Sequence, residues 1–194
     1  MKNLSSRAQA APLLLAGQIG VIASDTVYGV VACADNQAAV ARLYTLKHRY
    51  GKPGTIIAAH IEQLVDLGIP RRYMVPVEGY WPNPISVVVP TGPNLDYLHL
   101  GKGSLAVRVP ADDDLRALLE QTGPLLTSSA NHPGEPTATT IDMAQDYFEG
   151  NVDFYADGGD LYGNASSTII RVVDDAIEVL REGAVAINET GEVS

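Results

Sequence analysis

The 194 residues of this chain predict a single domain of the mixed α/β (α+β) class, with helices flanking a twisted sheet of parallel and antiparallel strands. Strand-like segments alternate with segments of helical periodicity, and turn residues separate them throughout. Apolar residues make up 46% of the chain, which is enough for one hydrophobic core but little for two. We therefore treat residues 1–194 as one domain, with a frayed tail at 187–194.

In the first half of the chain, apolar runs bounded by turn residues predict strands, and apolar residues at a spacing of three and four predict helices. Asp35 or Asn36 caps the longer of two helices, because their side-chain oxygens accept bonds from free backbone N–H groups. An amphipathic stretch at 71–80 ends at the prolines of WPNP. The predicted strands cover 19–23, 27–32, 55–59 and 86–90, and the helices cover 36–46 and 62–67.

The second half predicts further strands at 104–110 and 124–131, followed by a C-terminal hairpin of 166–173 and 176–181 around Asp174 and Asp175. Helices capped by Asp112–Asp114 and by Thr140 run to about residues 121 and 148. Residues 91–103 contain several glycines, so we take them as a candidate lid.

Composition and missing motifs exclude several classes of protein. No apolar run approaches the roughly 20 residues of a membrane-spanning helix, and no secretory leader is evident, so we expect a cytoplasmic protein without a membrane partner. A formal charge of -10 argues against a broad basic surface for nucleic acid. The sequence lacks HExxH, GxSxG and GxxxxGK[ST] motifs, which argues against a zinc hydrolase and a Walker-type ATPase. Catalysis by positioning and charge stabilisation is expected instead of a covalent intermediate.

Two polar segments next to predicted strands are candidates for ligand binding. In ASDTVYG, Ser24 and Thr26 lie on one side of an extended chain and Asp25 faces the other way, so two hydroxyls share a face. In KHR, Lys47 and Arg49 stand two residues apart just after a helix, where they can clamp a phosphate chain. Each segment also has a purely structural interpretation, as a polar strand edge or a solvated helix end.

Arg108 is more informative, because it lies inside the apolar strand LAVRVP and a buried guanidinium needs an anionic partner. That partner is either a structural carboxylate or the carboxylate of a substrate, and the sequence leaves both open. The segment TSSAN places hydroxyls and an amide at the polar end of a buried strand, where α/β sheets bind ligands.

Seven segments, taken in order, resemble the YrdC-type domain of threonylcarbamoyl-AMP synthases over about residues 10–186. The resemblance implies a YrdC-like fold and a nucleotidyltransferase that joins L-threonine, bicarbonate and ATP into L-threonylcarbamoyl-AMP and releases pyrophosphate. It also implies Mg²⁺ on the ATP phosphates, without a protein carboxylate cage. A separate transferase complex would then modify adenosine 37 of tRNA, so contact with tRNA is expected to be indirect. The segments are SDTVYG, RLYTLKHR, YWPNP, LAVRVP, TSSANHPGEP, SSTII and LREGAV.

The resemblance also assigns roles to individual residues, with Lys47, Arg49 and Arg108 as the positioning charges. Departures from the family pattern at Ala23 and Ser24, Asn83, Pro133 and Ser166 leave strict threonine preference open. Two alternatives therefore remain, a paralogue with another carbamoyl substrate and an RNA-binding or ribosome-maturation factor. The expected ATP-binding residues are Lys47, Arg49, Ser104, Ser129, Asn131, Thr137 and Arg181, and the expected threonine-binding residues are Ser24, Thr26, Arg108, Thr127 and Ser167.

Overall fold

The computed structural model describes residues 2–173, 176–188 and 191–193. Ten strands within these ranges form one sheet, and six α-helices and four short 3-10 helices connect them. The strands are β1 (Lys2–Leu4), β2 (Gly20–Ala23), β3 (Tyr28–Cys33), β4 (Thr55–Ile57), β5 (Ile85–Pro90), β6 (Ser104–Arg108), β7 (Leu125–Ser129), β8 (Phe154–Ala156), β9 (Thr168–Val173) and β10 (Ala176–Arg181).

The sheet is open and mixed, with the strand order β1-β8-β2-β3-β7-β4-β6-β5-β9-β10. The pairs β1–β8, β2–β8, β4–β6 and β5–β9 are parallel, and the remaining neighbours are antiparallel. The predicted fold class, a mixed sheet flanked by helices, is confirmed.

Helices pack on both faces of the sheet and create two buried clusters. In β2 the side chains of Val21 and Ile22 point to opposite faces, and each belongs to a different cluster. The helices are α1 (Ala11–Leu15), α2 (Gln37–Leu46), α3 (Ile61–Asp66), α4 (Asp96–His99), α5 (Asp113–Thr122) and α6 (Ile141–Phe148). The larger cluster includes residues of α2, α4 and α6, whereas the smaller one lies beneath α1 and α5.

The face beneath α1 and α5 changes from apolar to polar along the strands. Val31 of β3 and Leu125 of β7 belong to the smaller buried cluster. On the same face, the next residues towards the polar end are Gly29, two positions before Val31, and Thr127, two positions after Leu125. None of the described residues that line the cavity over this polar half belongs to a helix. The fold therefore leaves half of one sheet face open to a ligand.

Several elements differ from the sequence-based prediction. The strands β1 and β8 were not predicted, since each has three residues and shows no clear periodicity. The predicted lid at 91–103 contains α4, whose Leu98 belongs to the larger core cluster and whose His99 is also buried. The stretch 71–80 forms two 3-10 helices.

The C-terminal tail also differs from expectation. Ile187 and Val193 form an antiparallel bridge, and Tyr80 Oη donates to the Gly191 carbonyl at 3.1 Å, so the described tail residues fold back instead of fraying. The predicted strands of the hairpin are present as β9 and β10. Its turn at Asp174 and Asp175 lies outside the described residues.

The end of α2 provides a test of local geometry. His48 follows the helix with a φ of 46°, its N–H bonds the Thr45 carbonyl at 3.1 Å, and the Arg49 N–H bonds the Tyr44 carbonyl at 3.0 Å. This is the Schellman arrangement, which favours glycine at the left-handed position. We expect His48→Gly to raise the free energy of unfolding by about 0.5–1 kcal/mol in a urea titration, since relief of strain exceeds the added chain entropy. A lower stability than wild type would contradict this assignment.

Candidate active site

A cavity of about 160 Å³ lies over the polar half of the sheet face. This volume is below the 300–1,000 Å³ typical of sites for drug-sized ligands, so it suits a ligand the size of an amino acid. The cavity brings together residues from six strands and from the loops that follow β2, α2 and β8. Eight of the predicted site residues line it, namely Ser24, Thr26, Arg49, Arg108, Thr127, Ser129, Ser167 and Arg181.

Four predicted site residues lie outside the cavity lining. Lys47 and Asn131 are bonded to the loop that carries Ser129. Ser104 begins β6 opposite Pro90, two residues before Ala106, which does line the cavity. Thr137 lies in the loop after β7, where its neighbour Ala138 bonds back to Ala130.

Lys47 is buried, and the protein itself uses its ammonium group. Its Nζ donates to the Ser129 carbonyl at 2.7 Å, to the Asn131 carbonyl and to Asn131 Oδ1 at 3.1 Å, which accounts for all three N–H groups. The same atom lies 5.6 Å from the centroid of the Phe148 ring in the larger core cluster. Burial, and then repulsion by Arg49, lower the pKa of Lys47 to about 8. Lys47 therefore anchors the loop at 129–131 from behind.

The turn after β2 presents two hydroxyls to the cavity, as predicted. Ser24 Oγ lies 3.0 Å from Thr26 Oγ1, and it accepts bonds from the N–H groups of Thr26 and Val27, both at 3.2 Å. Its hydroxyl donates to the Val27 carbonyl at 2.7 Å. A serine that bonds its own turn in this way fixes the loop, so both oxygens have defined positions.

Arg108 has a structural anionic partner, which the sequence left open. Its Nη2 donates to Asp25 Oδ1 at 2.8 Å, and each side chain is only 4% exposed. Burial raises the pKa of Asp25 although Arg108 opposes the shift, and burial lowers the pKa of Arg108. Sequence reasoning missed Asp25 as this partner, although its position opposite Ser24 and Thr26 was a usable signal.

The cavity carries excess positive charge in an acidic protein. Arg49, Arg108 and Arg181 all line it, and Asp25 is the counter-charge on Arg108. Burial, and then repulsion by Arg108 and Arg49, lower the pKa of Arg181. Such a site favours an anionic ligand.

One buried donor on the cavity side of the sheet lacks a hydrogen-bond partner among the described residues. It is Arg108 Nε, and Arg108 is only 3% exposed. Unpaired buried donors are costly and rare in folded proteins. Arg108 Nε therefore indicates a bound group with an acceptor atom. Ser128 Oγ is also unpaired, but Ser128 pairs with Val30 of β3, so its side chain points to the larger core cluster and away from the cavity.

Close packing of the backbone shapes the cavity floor at Gly29. A Cβ atom at this position would lie 2.5 Å from Thr127 Oγ1 on the neighbouring strand. Any larger residue would displace the Thr127 side chain, so glycine here allows that hydroxyl to face the cavity. The motif SDTVYG contains this glycine, but its close approach to Thr127 cannot be read from spacing along the chain.

Neither a cluster of metal ligands nor a membrane-spanning helix is present among the described residues. Among the described residues, no group of three or more His, Cys, Asp or Glu side chains is arranged to hold a metal. None of the described helices has the length and apolar character needed to cross a bilayer.

Comparison with known proteins relates most of the chain to one family. The Sua5/YciO/YrdC family model, described as telomere recombination, matches residues 12–183. The threonylcarbamoyl-AMP synthase of Pseudomonas paraeruginosa is 36% identical, over 86% of this chain and 92% of that protein. The threonylcarbamoyl-AMP synthase of Bacillus subtilis is 30% identical, over 92% of this chain but 53% of that protein.

Solved structures show the same relationship. Pyrococcus abyssi Sua5 complexed with L-threonine superposes with a TM-score of 0.83 at 28% identity, and the match covers 96% of this chain and 58% of that one. Escherichia coli YciO superposes with a TM-score of 0.78 at 22% identity and supports the fold alone. From its ordered motifs, its mixed sheet and these matches, the chain belongs to the Sua5/YciO/YrdC family.

Proposed function

We propose that this protein is a nucleotidyltransferase that joins L-threonine, bicarbonate and ATP into L-threonylcarbamoyl-AMP and releases pyrophosphate. The observation that carries the proposal is the small cationic cavity, in which buried Arg108 keeps an unpaired N–H group. Relatives named threonylcarbamoyl-AMP synthase and a related structure that holds L-threonine support the same assignment.

The amino acid is assigned to the enclosed part of the cavity. Arg108 is already bonded to Asp25 through Nη2, and its Nε remains to meet the threonine carboxylate. Hydroxyl groups offer both donors and acceptors to the remaining polar atoms of threonine. We assign Ser24, Thr26, Thr127 and Ser167 to this part of the site.

The nucleotide is assigned to the cations at the cavity and to the loop at 129–131. Arg49 and Arg181 line the cavity and supply charge for the phosphates. Lys47 and Asn131 act through Ser129, which they hold in place. Ser104 and Thr137 lie beyond the enclosed volume, where the rest of a nucleotide extends.

Magnesium does not have a protein cage in this site. The cavity lining contains no carboxylate among the described residues, and Asp25 faces Arg108 instead. The residues therefore do not fit direct coordination of Mg²⁺. An ion that accompanies ATP would be held by the phosphate oxygens and by water.

The proposed reaction has two steps, and each step forms one new bond. The threonine amine forms a C–N bond with the carbon of bicarbonate, and water leaves to give a carbamate. A carbamate oxygen then attacks the α-phosphorus of ATP, and the bond to the pyrophosphate leaving group breaks. The protein contributes by holding the groups about 3–3.5 Å apart and by neutralising negative charge with its arginines.

The product is a mixed anhydride, so a transfer reaction must consume it. We assign that step to a separate transferase complex acting on adenosine 37 of tRNA in the cytoplasm. Contact of this chain with tRNA is then indirect.

Release of pyrophosphate in substrate-omission assays tests the proposal. We expect release to require threonine and bicarbonate together, with less than about one tenth of the rate when either is omitted. ATP turnover that ignores both would contradict the proposal. Turnover that ignores threonine but depends on another carbamoyl compound would instead indicate a paralogue.

The lowered pKa of Lys47 predicts that nucleotide binding depends on pH. Because its pKa is lowered to about 8, the ammonium form holds the loop at 129–131 below pH 8 and is lost above it. The neutral amine has one N–H fewer, so affinity for a non-hydrolysable ATP analogue should fall by about 10-fold between pH 7 and 9.5. Calorimetry measures this fall. Lys47→Arg stays charged over this range and should flatten the profile, whereas an unchanged profile in that variant would contradict the assignment.

A further inference from the structure

Ser86 lies directly behind the cavity wall without taking part in it. It is fully buried in β5, and Val88, two residues further along the same strand, pairs with Ala106 of β6. Residues two apart in a strand share a face, so Ser86 points to the side that carries the cavity-lining Ala106. Its Oγ lies 3.0 Å from the Oγ of Ser167, which does line the cavity.

Arg181 holds Ser167 from another direction. Its Nη2 donates to Ser167 Oγ at 3.0 Å, and its Nε and Nη2 both donate to the Ser167 carbonyl at 3.1 and 2.6 Å. A guanidinium group has no acceptor, so Ser167 Oγ must accept in this bond. One lone pair of Ser167 Oγ is therefore used by Arg181.

The direction of the bond between the two serines follows from the surroundings of Ser86. Among the described residues, the only hydrogen-bond partner of the Ser86 hydroxyl is Ser167 Oγ. If Ser167 donated to Ser86, the Ser86 hydrogen would be buried without an acceptor, which folded proteins avoid. Ser86 is therefore the donor, and the second lone pair of Ser167 Oγ is used.

The hydrogen of the Ser167 hydroxyl is used by neither of these bonds, and Ser167 lines the cavity. We propose that Ser86 is a positioning residue that commits the Ser167 hydroxyl to donating a hydrogen bond to an anionic oxygen of the substrate. This inference rests on the proposed function, in which the substrate carries a carboxylate. It also assigns an orientation to the substrate, because an ammonium group cannot accept this bond and must lie away from Ser167.

Calorimetric titration of L-threonine in the presence of a non-hydrolysable ATP analogue tests the proposal. We expect Ser86→Ala to weaken threonine binding by about 5-fold, since Ser167 loses the bond that orients its hydroxyl. Ser86→Thr retains a hydroxyl and should bind within about 2-fold of wild type. Ser86→Cys is close in volume to serine but a weak donor, so it should behave like Ala and serves if Ser86→Ala does not fold.

A double-mutant cycle with Ser167→Ala separates positioning from a structural role. If Ser86 acts through the Ser167 hydroxyl, Ser86→Ala should change threonine affinity by less than about 2-fold once Ser167 is Ala. An equal loss in both backgrounds, or no loss in the wild-type background, would overturn the proposal. Absence of threonine binding by the wild-type protein would instead contradict the proposed function.

Discussion

Replacing Asp25 by Asn is expected to lower the free energy of unfolding by about 3–5 kcal/mol, because it leaves the buried guanidinium of Arg108 without a counter-charge. Chemical denaturation measures this loss. Saturating threonine should restore more stability to Asp25→Asn than it adds to the wild-type protein, because the substrate carboxylate supplies the missing anion. Arg108→Met should lose the response to threonine altogether.

Two further variants distinguish the contribution of the buried ion pair to stability from its contribution to threonine binding. Glu178→Gln removes the partner of Arg171 in an exposed pair, and it should cost less than about 1 kcal/mol. The double variant Asp25→Leu with Arg108→Met should regain most of the stability, because a buried apolar pair needs no counter-charge. It should bind no threonine, because it offers no cation to the substrate carboxylate. Asp25→Asn with wild-type stability and activity would contradict the assignment.

Gly183→Ala is expected to reduce kcat/KM by about 100-fold or more and to cost about 3 kcal/mol of stability. An added Cβ would collide with the Ser166 carbonyl oxygen and would lie 2.5 Å from the Ser167 carbonyl carbon and 2.6 Å from the Thr168 nitrogen. All three neighbours are backbone atoms, so the segments must separate. That movement displaces Ser166, Ser167 and Arg181 from the cavity wall.

Gly79→Ala is the matched control for this prediction. A Cβ atom at Gly79 would meet no atom within 4 Å, and its φ lies outside the left-handed region. We expect its stability to change by less than about 1 kcal/mol and its activity to stay within about 2-fold of wild type. Activity of Gly183→Ala within about 3-fold of wild type would show that the wall does not depend on this close approach.

Elements with strong periodicity or clear caps were predictable from the sequence. Asn36, Asp112 and Thr140 accept bonds from backbone N–H groups at the predicted helix starts. The three-residue strands β1 and β8 were not predictable from the sequence, because their parallel pairing with distant parts of the chain leaves no local signal. Likewise, α4 was missed because the glycines around it indicate turns, whereas the burial of Leu98 is a tertiary effect.

The sequence predicted which residues form the site better than it predicted the contacts that they make. Strand alternation placed Ser24 and Thr26 on the side of the cavity, and an apolar strand singled out Arg108 as needing an anion. The sequence placed Lys47 beside Arg49 as a phosphate clamp, yet the structure bonds Lys47 to the loop at 129–131. Spacing along the chain cannot reveal such bonds, because Lys47 and Asn131 are 84 positions apart.

Direct detection of the product tests the central claim of this account. The purified protein would be incubated with ATP, L-threonine and bicarbonate labelled with heavy carbon, and the adenylates would be analysed by mass spectrometry. We predict a threonylcarbamoyl-AMP that carries the heavy carbon and forms only when all three substrates are present. ADP, or AMP and pyrophosphate without any labelled adenylate, would contradict it.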